Sequence, residues 1–150
     1  MTRRLHIVSV LASGCLLASL SGCQRGPADG TVTADNAEAY SGIAADEVLR
    51  FGGNEPFWGG EVAGETLIYT TPENPDGAAI AVKRFAGMNG LGYSGTLGGQ
   101  AFDMVVTPAT CSDTMADRTY PFAITLSIGE QVRNGCGWTD RQPATGDQNP

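Results

Sequence analysis

The sequence predicts an all-β fold: a small antiparallel barrel or sandwich of seven to eight short strands, closed by one disulfide. Three observations point there. Apolar residues recur with a period of two through the longest patterned segment, Tyr120 to Ile128. Short β-compatible runs follow one another at about ten-residue spacing with turn-forming residues between them. No stretch after residue 50 carries a 3.6-residue apolar period for more than about two helical turns.

Tyr120, Phe122, Ile124, Leu126 and Ile128 alternate with Pro121, Ala123, Thr125, Ser127 and Gly129, which puts five large apolar side chains on one face of a strand. Gly129-Glu130 then predicts a turn into a second strand, Gln131 to Cys136. Phe102, Met104 and Val106 show the same alternation before Thr107-Pro108, where a proline is expected to stop the strand. Earlier runs at Phe57 to Val62, Thr66 to Thr71, Ala79 to Phe85 and Leu91 to Leu97 are separated by Ala63-Gly64-Glu65, by Pro72 to Gly77, by Gly87 to Gly90 and by Gly98-Gly99. Asn89-Gly90 reads as a tight hairpin with positive φ.

The N-terminus changes every later count. Arg3 and Arg4 precede an apolar stretch, Leu5 to Leu20, that is too short and too diluted by Ser, Ala and Gly to span a membrane stably. It ends in Leu20-Ser21-Gly22-Cys23, which resembles the lipobox of bacterial lipoproteins. Residues 1–22 are therefore expected to be a signal peptide, and Cys23 the lipidated first residue of the mature chain. Acyl chains contribute about 0.8 kcal/mol per buried methylene and hold such a protein firmly on a membrane. Gln24, in place of the Asp that commonly retains such proteins in the inner membrane, points to the outer membrane, with the protein facing the periplasm.

Without that leader the mature chain keeps seven Lys or Arg against sixteen Asp or Glu, a net charge of −9, and loses its single histidine, His6. The acidity argues against nucleic acid or an anionic membrane surface as a partner and suits a basic protein partner. The absence of histidine excludes Ser-His-Asp and Cys-His catalysis and the commonest zinc sites. No cofactor or metal is expected. Residues 23–46, rich in Ala, Gly, Asp, Asn and Thr, read as a flexible tether. Residues 47–138 are expected to form the β domain, and 139–150, with no aliphatic residue larger than Ala, a disordered tail.

A body this small has a marginal core, so a covalent staple would matter. Cys111 and Cys136 are the two cysteines of that body, enclosing a loop of 26 residues, and an exported location permits their oxidation. A bridge there would contribute roughly 3.5 kcal/mol in the chain-entropy picture. Two free thiols or a shared metal are the other states such a pair can adopt.

Two motifs, Gly53-Asn54-Glu55-Pro56-Phe57-Trp58 and Cys111-Ser112-Asp113-Thr114-Met115-Ala116-Asp117-Arg118-Thr119-Tyr120-Pro121-Phe122, with a closing Gly135-Cys136, carry a resemblance. Together they resemble an uncharacterised family of bacterial envelope proteins with N/T-E-P-F-W and C-S-D-G-M-S-D-x-x-Y-P-F segments, found near META-like and lysozyme-inhibitor-like lipoproteins. The run Gly92 to Leu97 is similar to that family's central hairpin. The resemblance spans about residues 50 to 137 and implies a small β module, without assigning an activity. Thr114 departs from the family's usual Gly, and Ala116 from its frequent Ser.

Glu55, Phe57 and Trp58 are candidates for a ligand cradle, with Trp58 as a stacking platform and Glu55 as a polar handle. The competing reading makes Trp58 a plug inside the barrel and gives Glu55 a backbone or arginine partner. Asp113 and Asp117, four apart and followed by Arg118, have the spacing of a metal or acid/base pair, but the loop lacks the alternating acidic pattern of a calcium site. Asp113 is better read as the cap of a helical turn through 114 to 117, with Asp117 paired to Arg118, Arg133 or Arg84. Met115 is expected to lie over the barrel end, and Tyr120 to join the site from the following strand.

These observations favour a non-enzymatic, lipid-anchored binding module for a periplasmic protein or small ligand, with lysozyme inhibition as its concrete form. A structural or stress-related envelope accessory is the second reading. A carboxylate-dependent enzyme, resting on Glu55, Asp113 and Asp117 alone, is the third.

Overall fold

The computed structural model describes residues 37–115 and 117–146. Cys23, the leader, most of the tether and residues 147–150 lie outside them. The chain is all-β. Eight strands, β1 (Leu49–Asn54), β2 (Phe57–Ala63), β3 (Thr66–Thr71), β4 (Asn74–Ala86), β5 (Leu91–Leu97), β6 (Gln100–Cys111), β7 (Tyr120–Ile128) and β8 (Gln131–Thr139), form a closed up-and-down barrel. Each strand pairs antiparallel with the next, and β8 returns to β1 through Leu49↔Thr139 to Gly52↔Cys136. Closure leaves no unpaired sheet edge.

The alternation expected of β7 holds for most of the strand. Phe122, Ile124 and Leu126 are buried in the barrel together with Phe102, Met104 and Val106 of β6, while Thr125 and Asp103 face outward. A column of rings fills one side of the interior: Phe51 and Trp58 lie 6.0 Å apart, Trp58 and Tyr69 6.4 Å, and Tyr69 and Phe102 5.9 Å edge-on. Such tilted and edge-to-face pairs are the arrangements aromatic quadrupoles prefer.

Five of the hairpins turn in two residues. At Gly98-Gly99 both residues have positive φ, 57° and 83°, and Leu97 pairs with Gln100 across them, as a type I′ turn requires. The Asn89-Gly90 expectation is corrected. Ala86 pairs with Leu91, so the loop holds four residues, Gly87 to Gly90, closed by a Gly87 N–H to Gly90 carbonyl bond of 2.9 Å.

Several boundaries move. β1 was not anticipated, because its Gly52-Gly53 pair hides the Leu49/Phe51 alternation. Pro108 does not end β6: a register irregularity between Pro108 and Cys111 absorbs the missing donor, and the strand runs on to Cys111. The tether ends earlier than residue 46, since Ile43 is 1% exposed in the core and Tyr40 packs against it. The tail also starts later than expected. Thr139 is a fully buried residue of β8, Gln142 N–H donates to Thr139 Oγ1 at 3.0 Å, and Thr145 bridges to Thr119. Arg141 explains the order of this segment, because it binds Glu47 and so ties residues beyond β8 to those before β1.

Cys111 and Cys136 form a disulfide. Cys136 stands opposite Ala123 on β7 and Gly52 on β1, on the outer side of the wall whose inner side carries Ile124 and Phe122. The staple therefore crosses the start of β7 and joins β6 to β8 at the end of the barrel where the long 112–119 loop emerges.

Candidate functional site

The hairpin turn after β1 and the loop after β6 meet at this end of the barrel. Asn54, the last residue of β1, donates its Nδ2 to the Asp113 carbonyl at 2.6 Å. Asp113 in turn organises its own loop: Oδ1 accepts the Met115 N–H at 3.1 Å and Oδ2 accepts the Tyr120 hydroxyl at 2.9 Å. Ser112 Oγ accepts the Thr114 N–H at 3.2 Å. The expected helical turn is thus replaced by an Asx-type turn, in which the carboxylate serves a backbone donor two residues on. Thr114 adopts φ 61°, the left-handed region that disfavours a β-branched residue.

Two adjacent hollows open around the disulfide. One, of about 340 Å³, has Glu55, Ser112 and Asp113 on one side and Thr125, Asn134 and Gly135 on the other. The second, of about 200 Å³, is bounded by Phe57, Trp58, Asp113, Tyr120 and Trp138. They share Gly52, Gly53, Asn54, Asp113 and Cys136. The two motifs that stand some sixty residues apart in the chain therefore build one continuous surface feature.

Trp58 does not offer a ring face to this surface. It is 5% exposed, with Phe51 and Tyr69 packed beside it, so the plug reading of its ring is correct and the stacking-platform reading is not. Its edge is different. The indole occupies the room left by two glycines: a Cβ on Gly53 would lie 2.5 Å from Nε1, and one on Gly135 2.9 Å from Cζ2. Nε1–H is buried there with no acceptor among the described residues. A buried donor left unpaired costs about 1–3 kcal/mol, which makes this atom an exception that calls for a reason.

Around it the side chains are aromatic and acidic. Phe57 is 56% exposed. Tyr120 packs against Trp138 with ring centres 5.4 Å apart and the rings tilted by 48°, and the Arg118 guanidinium lies 5.8 Å from the Tyr120 ring centre. Burial, and then the hydrogen-bonded Asp113 carboxylate, push the Tyr120 hydroxyl above its ordinary value, which keeps it protonated as a donor. Glu55 is exposed at the rim.

Of the residues expected in a site, Glu55, Phe57, Trp58, Asp113 and Tyr120 line the hollows; Met115, Asp117 and Arg118 do not. Met115 is 55% exposed rather than laid over the barrel. The arginines expected to meet Asp117 from other strands are engaged elsewhere, Arg133 with the Tyr69 hydroxyl at 2.6 Å and Arg84 with the Ile43 carbonyl at 2.9 Å. Asn54, Asn134 and Trp138 belong to the site and were missed. For Trp138 a signal existed, since Cys136 and Trp138 are two apart and must share a strand face. Among the described residues, no three His, Cys, Asp or Glu side chains are grouped to hold a metal ion.

Compared with protein-family models, curated proteins and solved structures, the chain has no match.

Proposed function

We propose that this chain is an envelope lipoprotein, acylated at Cys23 and held at the periplasmic face of the outer membrane, whose barrel is a non-catalytic binding module for a cationic protein. The observation that carries the reading is the convergence of Glu55, Asp113, Phe57 and Tyr120 on hollows beside the disulfide, with the Trp58 N–H unpaired behind them. Carboxylates beside the exposed Phe57 ring suit a lysine or arginine side chain. The unpaired indole donor suits an acceptor on the same partner, such as a backbone carbonyl.

The charge distribution supports the same partner class. Arg50 is committed to Asp140 and Glu61, Arg141 to Glu47, Arg84 to Ile43 and Arg133 to Tyr69, whereas Glu55, Glu65, Glu73, Asp76 and Glu130 face solvent. With a net charge of −9 expected for the mature chain, the field reaching a partner is acidic, which speeds encounter with a basic surface. Lysozyme is a cationic envelope-active protein of that kind.

Retention on immobilised lysozyme tests the reading, with cytochrome c as a control of comparable basicity. The mature protein is expected to bind lysozyme in a salt-sensitive manner, and Glu55→Gln with Asp113→Asn to weaken binding at least about tenfold. Absence of retention, equal retention on cytochrome c, or indifference to the double substitution in a protein of unchanged circular dichroism would overturn it.

A further inference from the structure

A second surface, on β4, β5 and the middle of β6 away from the hollows, has the opposite character. Phe85 on β4, Gly92 on β5 and Val105 on β6 are cross-strand neighbours, Phe85↔Gly92 and Gly92↔Val105. Phe85 is 71% exposed and Val105 50%, and a Cβ on Gly92 would meet nothing within 4 Å. The result is an apolar groove of about 310 Å³ with Gly92 as its floor, Phe85 and Val105 as its walls, and the Gly87–Gly90 loop at one end. Met88 on that loop is 56% exposed. Three large apolar side chains, Phe85, Met88 and Val105, exposed together on a small domain are not explained by packing.

Charge is scarce around them. On the outward-facing positions of β4 to β7 level with the groove, only Lys83 and Asp103 are charged, in a protein whose remaining surface is strongly acidic. The chain also enters the barrel here: Tyr40 N–H donates to the Gly87 carbonyl at 2.7 Å, so the N-terminal segment reaches the domain at the groove's own loop.

We infer that this face docks on the bilayer to which the chain is anchored, with Phe85 and Met88 entering the lipid interface. The inference rests on the proposed acylation of Cys23. Thirteen residues separate Cys23 from Ala37, a span of at most about 45 Å, so the groove stays within reach of the anchoring membrane. Large apolar side chains on a face of low charge are what interfacial binding requires, and an anchor raises their effective concentration at the bilayer. The acidic hollows, which lie around β1, the end of β6 and β8, are then left open to a soluble partner.

The test supplies the anchor chemically. With Cys111 and Cys136 paired, Cys23 is the only free thiol of the mature chain, and a maleimide phospholipid coupled there tethers the folded protein to phosphatidylcholine vesicles. Amide hydrogen exchange of residues 86–92 is expected to slow at least about threefold on tethering, with residues 131–139 unchanged, and Phe85→Ser with Met88→Ser to abolish the slowing. Unchanged exchange on tethering, or slowing that survives the double substitution, would overturn the inference. So would equal slowing in untethered protein that light scattering shows to be dimeric, which would assign the groove to a second copy. Mass measurement of the exported chain tests natural acylation separately, so the two readings fail independently.

Discussion

Thr114 is the residue whose conformation most directly opposes its chemistry. At φ 61° its branched side chain is held where glycine is at ease. Thr114→Gly is expected to raise stability by about 1 kcal/mol in denaturant titration, and a loss of stability would show that the side chain makes a compensating contact. Glu47 stands at the other extreme of fit. Arg141 hydrogen-bonds its carboxylate, Thr139 and the Ala44 N–H assist, and together they outweigh burial and hold its pKa down to about 2. A depressed carboxyl contributes stability that is present above its unfolded value near 4.5 and is lost as pH falls toward 2. Because Arg141 is well exposed, the screened contribution is on the order of 1–2 kcal/mol. Glu47→Gln should lower the melting temperature at pH 7 and flatten its decline between pH 5 and 2; an unaltered acid limb would contradict the assignment. At this scale the sequence was informative where chemistry is local. Asp113 is expected to cap a helical turn, and its carboxylate does accept a backbone N–H, that of Met115, but within an Asx-type turn and not a helical one. The Asn54 latch and the orphaned Trp58 N–H depend on which strands close the barrel, and no spacing along the chain encodes that.

The elements were legible in proportion to their side chains. β7 announces itself because its inward positions are Phe, Ile and Leu against small or polar neighbours, whereas β1 runs into Gly-Gly-Asn after only two apolar residues and the first part of β4 is written in Asn, Pro, Asp, Gly and Ala. Glycine there is a packing requirement rather than a turn signal: a Cβ on Gly53 or Gly135 would collide with the Trp58 ring. The pairing of Cys111 with Cys136 was expected, and its structural setting is specific. β6 and β8 are already joined through β7, so the bridge acts mainly on the ragged end where β6 passes its irregularity and the 112–119 loop departs. Its loss should cost up to about 3.5 kcal/mol, the loop-closure value, and lower the melting temperature by more than about 10 °C. Reduction that leaves the melt in place would mean that barrel closure alone fixes this end.

For the whole molecule, three features divide the surface of one small barrel. The disulfide end is hollowed, aromatic and acidic; the β4–β6 face is apolar and nearly uncharged; the N-terminal chain arrives at the latter. Under the proposed acylation and partner, that arrangement would orient the domain with its apolar face toward the anchor and its acidic hollows open to a basic protein. The central claim is that the hollow over Trp58 is where that partner binds. Nitrogen-15 labelling of this protein alone allows its two indole N–H resonances, Trp58 and Trp138, to be followed while unlabelled lysozyme is added. The account predicts that both shift in a saturable manner and that the Trp58 N–H, lacking an acceptor in the free protein, moves downfield as it gains one. A Trp58 resonance that stays in place at saturating lysozyme would contradict it.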